Sequence, residues 1–166
     1  YCGVGEIGID LYWDKTLEQE QVDAFITQCQ WAVDLQKGVS IHTRSATYLA
    51  ISALKGMPVV PRGVFHCFSG SLEEANEIIK LGFKLGIGGV VTFKNTHLVE
   101  TLKQIPLNHI VIETDSPYLS PDPLRGKSNE PANVKIVAES IAKIKAIIAY
   151  ILSLPAKLLA AICSAV

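Results

Sequence analysis

Four residues of metal-ligating type stand at the ends of predicted strands, and they are Glu6, His42, His66 and Asp115. In parallel α/β folds the carboxyl ends of the strands lie on one side, so these side chains are expected to meet. Two carboxylates and two imidazoles together suit a divalent cation such as Zn, Mn or Mg. A lone strand-end His or Glu is commonly structural or solvated, but four at matching ends predict a shared metal site.

The stretch Ile110–Tyr118 carries a second carboxylate next to the last of these residues. The apolar run Ile110–Ile112 is typical of a strand buried on both faces, and it leads into Glu113, Thr114 and Asp115. Because successive strand residues point to opposite faces, the two acids are predicted to share a face. A solvated strand end with a capping Asp is the alternative interpretation of the same residues.

A glycine-rich segment near the start of the chain suggests a different chemistry. Gly3-x-Gly5-x-x-Gly8 matches the dinucleotide-binding fingerprint, but that motif must lead into a helix, and the loop residues Tyr12–Asp14 follow here. We therefore expect the glycines to let the backbone approach a site closely.

Hydrophobic periodicity predicts five strands, each followed by a helix, which implies parallel strands joined by crossovers. The predicted strands are Tyr1–Asp10, Val39–His42, Gly63–Phe68, Phe83–Ile87 continuing into Val90–Phe93, and Asn108–Asp115. The predicted helices follow capping boxes at Thr16–Gln19 and Ser71–Glu74, cover Ala46–Leu54 and Asn95–Gln104, and begin at Pro131.

Composition narrows the classes of protein that are possible. With 166 residues, 49% hydrophobic and 19% charged, the chain is long enough for one globular domain, and we expect residues 1–166 to form one. The net charge of -1 gives no global attraction to nucleic acid, so binding of a polyanion needs a local patch or a metal ion. Four cysteines without CxxC spacing fit reduced thiols in a cytoplasmic protein.

The segment Ala146–Val166 is almost entirely apolar, with Lys157 its one charged residue. Its length suggests a membrane span, but Pro155 and Lys157 divide it and no flanking charge bias supports insertion. We therefore predict no membrane association and a helix pair that covers the sheet.

Six segments resemble the TatD family of metal-dependent deoxyribonucleases, which are TIM barrels of the amidohydrolase-like group. The resemblance covers about Gly5 to Lys143 in order and spacing. The segments are GEIGIDLYWD (5–14), IHTR (41–44), GVFHCFSGS (63–71), GGVVTFKN (88–95), ETDSPYLSP (113–121) and RGKSNEP (125–131).

The resemblance implies two divalent metal ions, Mg, Mn or Zn, and DNA as the substrate. It implies that Glu6 bridges the metals, that His42 and His66 ligate one of them, and that Asp115 binds metal and handles the proton of the attacking water. Glu113 is then expected to support the site from deeper in the sheet. The residues implied to border the substrate phosphates are Arg44, Arg125, Lys127, Asn129 and Glu130.

One departure from the family affects both fold and function. The family's first strand bears His-x-His, and this sequence contains none. The chain therefore resembles the last five βα units of an eight-unit barrel, an N-terminally incomplete domain whose edge strands would be exposed. Three functions stay open: a DNA hydrolase acting from the 3′ end, a related hydrolase of another ester or amide, or an inactive fragment that needs a separate N-terminal part.

Overall fold

The computed structural model describes residues 1–146. The predicted helix pair lies outside this range, apart from Ala146. The strands are β1 (Gly3–Asp10), β2 (Gly38–Arg44), β3 (Gly63–Phe65), β4 (Lys84–Ile87) and β5 (Ile110–Ile112). The helices are α1 (Glu18–Asp34), α2 (Thr47–Gly56), α3 (Leu72–Lys80), α4 (Leu98–Gln104) and α5 (Val134–Ile144).

The five strands form one parallel sheet in the order β1-β2-β3-β4-β5, with a helix after each strand. This is the predicted α/β fold, with five consecutive βα units of a TIM-type barrel. None of the helices in the described range is long and apolar enough to span a membrane.

The hydrophobic core lies between the sheet and the helices. Phe65 of β3 packs edge-to-face against Phe83 at a ring-centroid distance of 5.4 Å, and both side chains are buried. Phe25 and Cys29 of α1 are also fully buried, one helical turn apart. This layer of apolar contacts holds the strand ends that carry the polar residues.

A β-bulge interrupts β1 at Gly5 and Glu6. Val4 pairs with Val39 and Ile7 pairs with Ile41, so two residues of β1 face one residue of β2. Such a bulge re-aims the side chain that it contains and is frequent beside active sites. In this strand the re-aimed side chain is that of Glu6.

Helix starts were predicted with mixed success. Ser71 caps α3 as expected: its hydroxyl accepts from the Glu74 amide, and the Glu74 carboxylate accepts from the Ser71 amide. The capping box at Thr16 is wrong, because the Thr16 hydroxyl and amide both donate to Asp14 and the residue before α1 is Leu17.

Two strand predictions are also wrong. The segment Val90–Phe93 does not continue the fourth strand, because Gly89–Thr92 forms a 3₁₀ turn. The last strand is short and partly exposed, with Val111 at 44% and Ile112 at 42% exposure. It ends before Glu113, so strand alternation does not relate the two acids, and Asp115 has a left-handed backbone with φ of 57°.

Candidate metal centre

Glu6, His42 and His66 converge from three neighbouring strands. Glu6 lies at the bulge within β1 and not at the strand end where it was predicted, His42 lies two residues before the end of β2, and His66 directly follows β3. Glu6 Oε1 lies 3.1 Å from His42 Nδ1 and 3.1 Å from His66 Nε2. The two ring nitrogens lie 3.2 Å apart. We call these three residues the donor triad. Its three atoms form a nearly equilateral triangle that joins three different strands.

The strands position the triad through close backbone packing. His42 of β2 pairs with Gly8 of β1, and a Cβ at position 8 would lie 1.8 Å from the His42 carbonyl oxygen. His66 is the first residue after β3, and its amide donates to the Ile41 carbonyl. Both histidines are therefore fixed through backbone contacts between neighbouring strands.

A carboxylate faces the second nitrogen of the His42 ring. Asp10 Oδ2, at the end of β1, lies 3.3 Å from His42 Nε2. A carboxylate in this position holds an Nε2–H and leaves the lone pair of Nδ1 directed at the triad. Gln21 of α1 fixes Asp10 in turn, because its side chain accepts from the Asp10 amide and donates to the Asp10 carbonyl.

Glu113 occupies the equivalent position behind His66. Its Oε1 lies 3.7 Å from His66 Nδ1 and accepts a hydrogen bond from the Cys67 amide at 2.5 Å. The Glu113 carboxylate raises the pKa of His66, burial opposes this change, and Glu6 and Asp115 add to it. Burial acts to raise the pKa of Glu113 itself, but His66 and the Cys67 amide outweigh it, so that pKa is lowered.

Asp115 belongs to a second group of candidate ligands, together with His66 and Cys67. Their ligand atoms lie within 4.8 Å of one another. Burial and the neighbouring Glu113 raise the pKa of the Cys67 thiol, which disfavours its thiolate form. Among the described residues, His66 belongs both to this second group and to the triad, whereas Glu6 belongs to the triad alone.

The triad and Asp115 line one cavity of about 580 Å³. Its other lining residues include Arg44, Ser69, Val90 and Tyr118. Glu6 is half exposed to this cavity side, with 50% side-chain exposure, whereas His66 retains 11%. Within the triad the carboxylate is therefore the most exposed group and His66 the most enclosed, with His42 between them at 31% exposure.

Four of the five residues implied to contact phosphates fall into three groups by their position. Arg44 lines the cavity of the triad, and Arg125 lines an adjoining cavity. Lys127 and Glu130 are exposed on the loop before α5, outside the lining of the triad cavity. These positions are compatible with a substrate path but bring Arg44 nearest to the triad.

Asn129, the fifth residue implied to border the substrate phosphates, is buried within the loop before α5. It is 5% exposed, and its side-chain amide donates to the carbonyls of Thr114 and Tyr118, both at 2.7 Å. Its Oδ1 accepts from Asn133 and from the Glu130 amide. Both polar atoms of the side chain are therefore engaged internally, and they connect the loop that carries Asp115 to the start of α5.

Three features of the site were missed in the sequence. Asp10 was assigned no role in the site, and its partner His42 lies 32 residues further along the chain. Cys67 was assigned no role beside His66. Tyr12 and Trp13 were treated as loop residues, yet Arg44 stacks on them. For Asp10, the available signal was its position four residues after Glu6 on the same strand.

The donor triad fits a small divalent cation. Ligand atoms about 2.1 Å from an ion are separated by about 3.4 Å in a tetrahedron and about 3.0 Å in an octahedron. The observed separations of 3.1 to 3.2 Å lie between these values. Two imidazoles and one carboxylate, each imidazole backed by a further carboxylate, are typical of sites for transition metals and zinc.

Comparisons with known proteins show the family of the chain and relatives that are named as metal-dependent hydrolases. A model of the family described as TatD related DNase matches residues 1–162. The chain is 45% identical over 145 residues to the uncharacterized metal-dependent hydrolase YabD of Bacillus subtilis, covering 86% of this chain and 56% of that protein. It is 39% identical over 146 residues to the uncharacterized metal-dependent hydrolase YcfH of Escherichia coli, covering 87% and 55%.

A solved structure shows the same fold. The TatD homolog YJJV of Escherichia coli superposes with a TM-score of 0.80 and 29% identity, covering 86% of this chain and 56% of that one. The chain thus spans just over half the length of the curated relatives that it matches.

Proposed function

Because the chain belongs to the TatD-related DNase family, we propose that it takes part in the metal-dependent hydrolysis of DNA phosphodiester bonds, acting from the 3′ end. The observation that carries the proposal is the donor triad, whose three atoms lie 3.1 to 3.2 Å apart at the mouth of an open cavity. Relatives named as metal-dependent hydrolases support the reaction class.

A divalent ion held by Glu6, His42 and His66 would supply positive charge for the phosphate and lower the pKa of a coordinated water towards about 7. The protein carries a net charge of -1, so attraction of a polyanion has to be local. We propose two such ions, of Mg, Mn or Zn, with Asp115 near the second.

The protein's own residues have separable roles in this proposal. Asp10, 3.3 Å from His42 Nε2, holds that imidazole in the tautomer and orientation that ligation needs, and Glu113 places a negative charge 3.7 Å from His66 Nδ1. Asp115, on the wall of the cavity, accepts the proton of the attacking water as a general base. Arg44, on the same wall, offers a fixed guanidinium that matches phosphate geometry.

Cleavage of end-labelled DNA tests the proposal. A single-stranded oligonucleotide labelled at its 5′ or its 3′ end is incubated with the chain and Mg, Mn or Zn, with EDTA as the metal-free control. We expect stepwise shortening from the 3′ end, and a rate loss of at least about 100-fold in Glu6→Gln and Asp115→Asn. Asp14→Asn is the matched control, because Asp14 is an exposed loop residue whose carboxylate accepts hydrogen bonds from Thr16 and is not a member of the triad.

Metal titration by calorimetry separates the possible failures. Glu6→Gln should weaken binding of the ion, whereas Asp14→Asn should leave it unchanged. Tight metal binding without DNA cleavage would contradict the nuclease and favour a related hydrolase of another ester or amide. Absence of both would favour a piece that functions only with a further part of the barrel.

A further inference from the structure

Asn129 binds the backbone on both sides of Asp115. Its Nδ2 donates to the carbonyl of Thr114, the residue before Asp115, and to the carbonyl of Tyr118, three residues after it, both at 2.7 Å. The backbone amide of Asn129 donates to the Pro117 carbonyl at 2.9 Å. A single residue therefore holds three carbonyls of the loop that carries Asp115.

The backbone that Asn129 holds has an unfavourable conformation at Asp115. The φ angle of Asp115 is 57°, in the left-handed region that residues with a side chain rarely adopt. The Asp115 carbonyl accepts from the Tyr118 amide at 2.8 Å, which closes a tight turn. Such a conformation persists only where the surrounding contacts determine it, and Asn129 supplies one contact before the turn and one at its end.

A second buried amide connects Asn129 to helix α5. Asn133, the residue before α5, donates from Nδ2 to Asn129 Oδ1 at 2.8 Å, and the Glu130 amide donates to the same oxygen at 3.0 Å. Asn133 is 7% exposed, and Val137 and Ile141 of α5 belong to the hydrophobic core. A series of contacts therefore runs from the packed helix through two amides to the turn.

The partners of the Asn129 side chain require an amide. Its two N–H donors face two carbonyls and its oxygen faces two N–H donors, so its hydrogen-bonding capacity is used in full. A carboxylate of the same size has no donor and would turn an oxygen towards the carbonyls of Thr114 and Tyr118. Asn129→Asp therefore keeps the shape of the residue but removes both side-chain contacts that flank Asp115.

The turn determines where the Asp115 carboxylate lies. Asp115 lines the triad cavity, and its ligand atom lies within 4.8 Å of those of His66 and Cys67. Because φ and ψ set the direction of the Cα–Cβ bond, loss of the left-handed conformation would redirect this carboxylate. A displacement of a reacting group by about 1 Å is enough to cost on the order of 100-fold in rate.

We propose that Asn129 is a positioning residue that acts through Asp115: by binding the carbonyls of Thr114 and Tyr118, it holds the Asp115 carboxylate on the cavity wall beside His66. The inference rests on the proposed function, in which Asp115 accepts the proton of the attacking water. The resemblance implied a different role, a contact of Asn129 with a substrate phosphate. The two roles predict different kinetics, since loss of a uniform substrate contact raises KM, whereas a misplaced base lowers kcat.

Steady-state cleavage of the end-labelled oligonucleotide separates these two roles. Asn129→Asp and Asn76→Asp are compared with the wild-type chain. Asn76 is exposed on α3 and does not line the triad cavity, so its substitution adds the same charge elsewhere and is the matched control. We expect Asn129→Asp to lower kcat by about 10- to 100-fold with KM nearly unchanged, and Asn76→Asp to change neither.

Hydrogen exchange in the metal-free protein tests the contact without any cleavage. In Asn129→Asp the Tyr118 amide, which donates to the Asp115 carbonyl, should exchange about 10-fold faster. The His66 amide, which donates to the Ile41 carbonyl, should keep its wild-type rate and so exclude a global loss of stability. The NOE between the amide and Hα protons of Asp115, which is strong at positive φ, should weaken.

Asn133→Ala is a second variant that keeps the test decisive if Asn129→Asp does not fold. It removes one of the two donors to Asn129 Oδ1 and leaves both carbonyl contacts, so the same changes should appear at smaller size. Wild-type kcat and Tyr118 exchange in the variants, a raised KM with unchanged kcat, or equally faster exchange of the Tyr118 and His66 amides would overturn the proposal. The expected exchange pattern in a wild-type chain that leaves DNA uncut would support the contact and contradict the proposed function alone.

Discussion

Asp10 Oδ2 lies 3.3 Å from His42 Nε2, while the other nitrogen of that ring lies 3.1 Å from Glu6 Oε1. The imidazole therefore lies between two carboxylates. Asp10 fixes the proton on Nε2, and Glu6 is the neighbouring member of the donor triad. Asp10 is itself fixed, because its Oδ1 accepts a hydrogen bond from the Tyr12 amide. Its backbone amide and carbonyl are both hydrogen-bonded to the Gln21 side chain.

Asp10→Asn should weaken metal binding although Asp10 is not a member of the triad. An amide can donate to Nε2, which favours the tautomer with hydrogen on Nδ1 and removes the lone pair directed at the ion. We expect a loss of about 10- to 100-fold in affinity for Zn or Mn by calorimetry. Nitrogen NMR of the His42 ring should show the change of tautomer in the metal-free protein.

Asp14→Asn is the control for this variant. Asp14 lies four residues further along the chain, in the loop after β1, and accepts hydrogen bonds from Thr16. Unchanged metal affinity and tautomer in Asp10→Asn would mean that the contact seen here does not orient the ring.

Gly8→Ala should destabilise the sheet at the strand pair that carries two triad members. The added Cβ would meet the carbonyl oxygen, carbon and nitrogen of His42 at 1.8 to 2.9 Å, so β1 must move away from β2. We expect the free energy of unfolding to fall by about 1–3 kcal/mol in urea denaturation.

Gly56→Ala is the control for Gly8→Ala, and its free energy of unfolding is measured in the same way. Nothing lies within 4 Å of a Cβ at this last position of α2, so the substitution should be neutral or stabilise by up to about 1 kcal/mol. Equal stabilities of the two variants would show that β1 and β2 are not packed as closely as the structure has them.

Glu77 should make stability depend on pH in the acid range. Hydrogen bonds and charge attraction from Lys55 and Lys80 lower the pKa of Glu77 from 4.5 to about 2. A carboxyl with a depressed folded-state pKa stabilises the fold above its ordinary pKa, and this contribution is lost as the pH falls from 4.5 through about 2. Thermal melts between pH 7 and pH 2 should therefore show a smaller acid-induced decrease in Tm for Glu77→Gln than for wild type.

Screening and a second acid serve as controls for that measurement. The side chain of Glu77 is 32% exposed, and those of Lys55 and Lys80 are 51% and 72% exposed, so 1 M NaCl should reduce the difference between variant and wild type. Glu139→Gln on α5, whose partner Lys135 is 4.0 Å away, should keep the wild-type acid profile. An unchanged profile in Glu77→Gln would mean that the lysine contacts are not maintained in solution.

Sequence patterns predicted the elements that depend on local chemistry. Ser71 and Glu74 form the expected capping box because both groups lie within one helical turn. The same pattern failed at Thr16, where Asp14 competes successfully for the hydroxyl. The sequence pattern could not reveal that competition, because it does not show which polar group lies within hydrogen-bond distance of the Thr16 hydroxyl.

Long-range relationships were the least accessible part of the site. Alternation placed Glu113 and Asp115 on one face, but β5 ends at Ile112 and the backbone of Asp115 turns left-handed. The contacts of Asp10 with His42 and of Asn129 with Thr114 join residues far apart in the chain. Such contacts follow from how strands and loops stack, which no local spacing encodes.

The bulge in β1 has a mechanical consequence for the donor triad. Gly5 and Glu6 share one partner residue in β2, so their backbone is less tightly held by the ladder than that of His42, which pairs directly with Gly8. We therefore expect the backbone of Glu6 to adjust more readily than that of His42 when the proposed ion binds. Such an adjustment would let the carboxylate change its distance to the ion while the imidazole of His42 keeps its place.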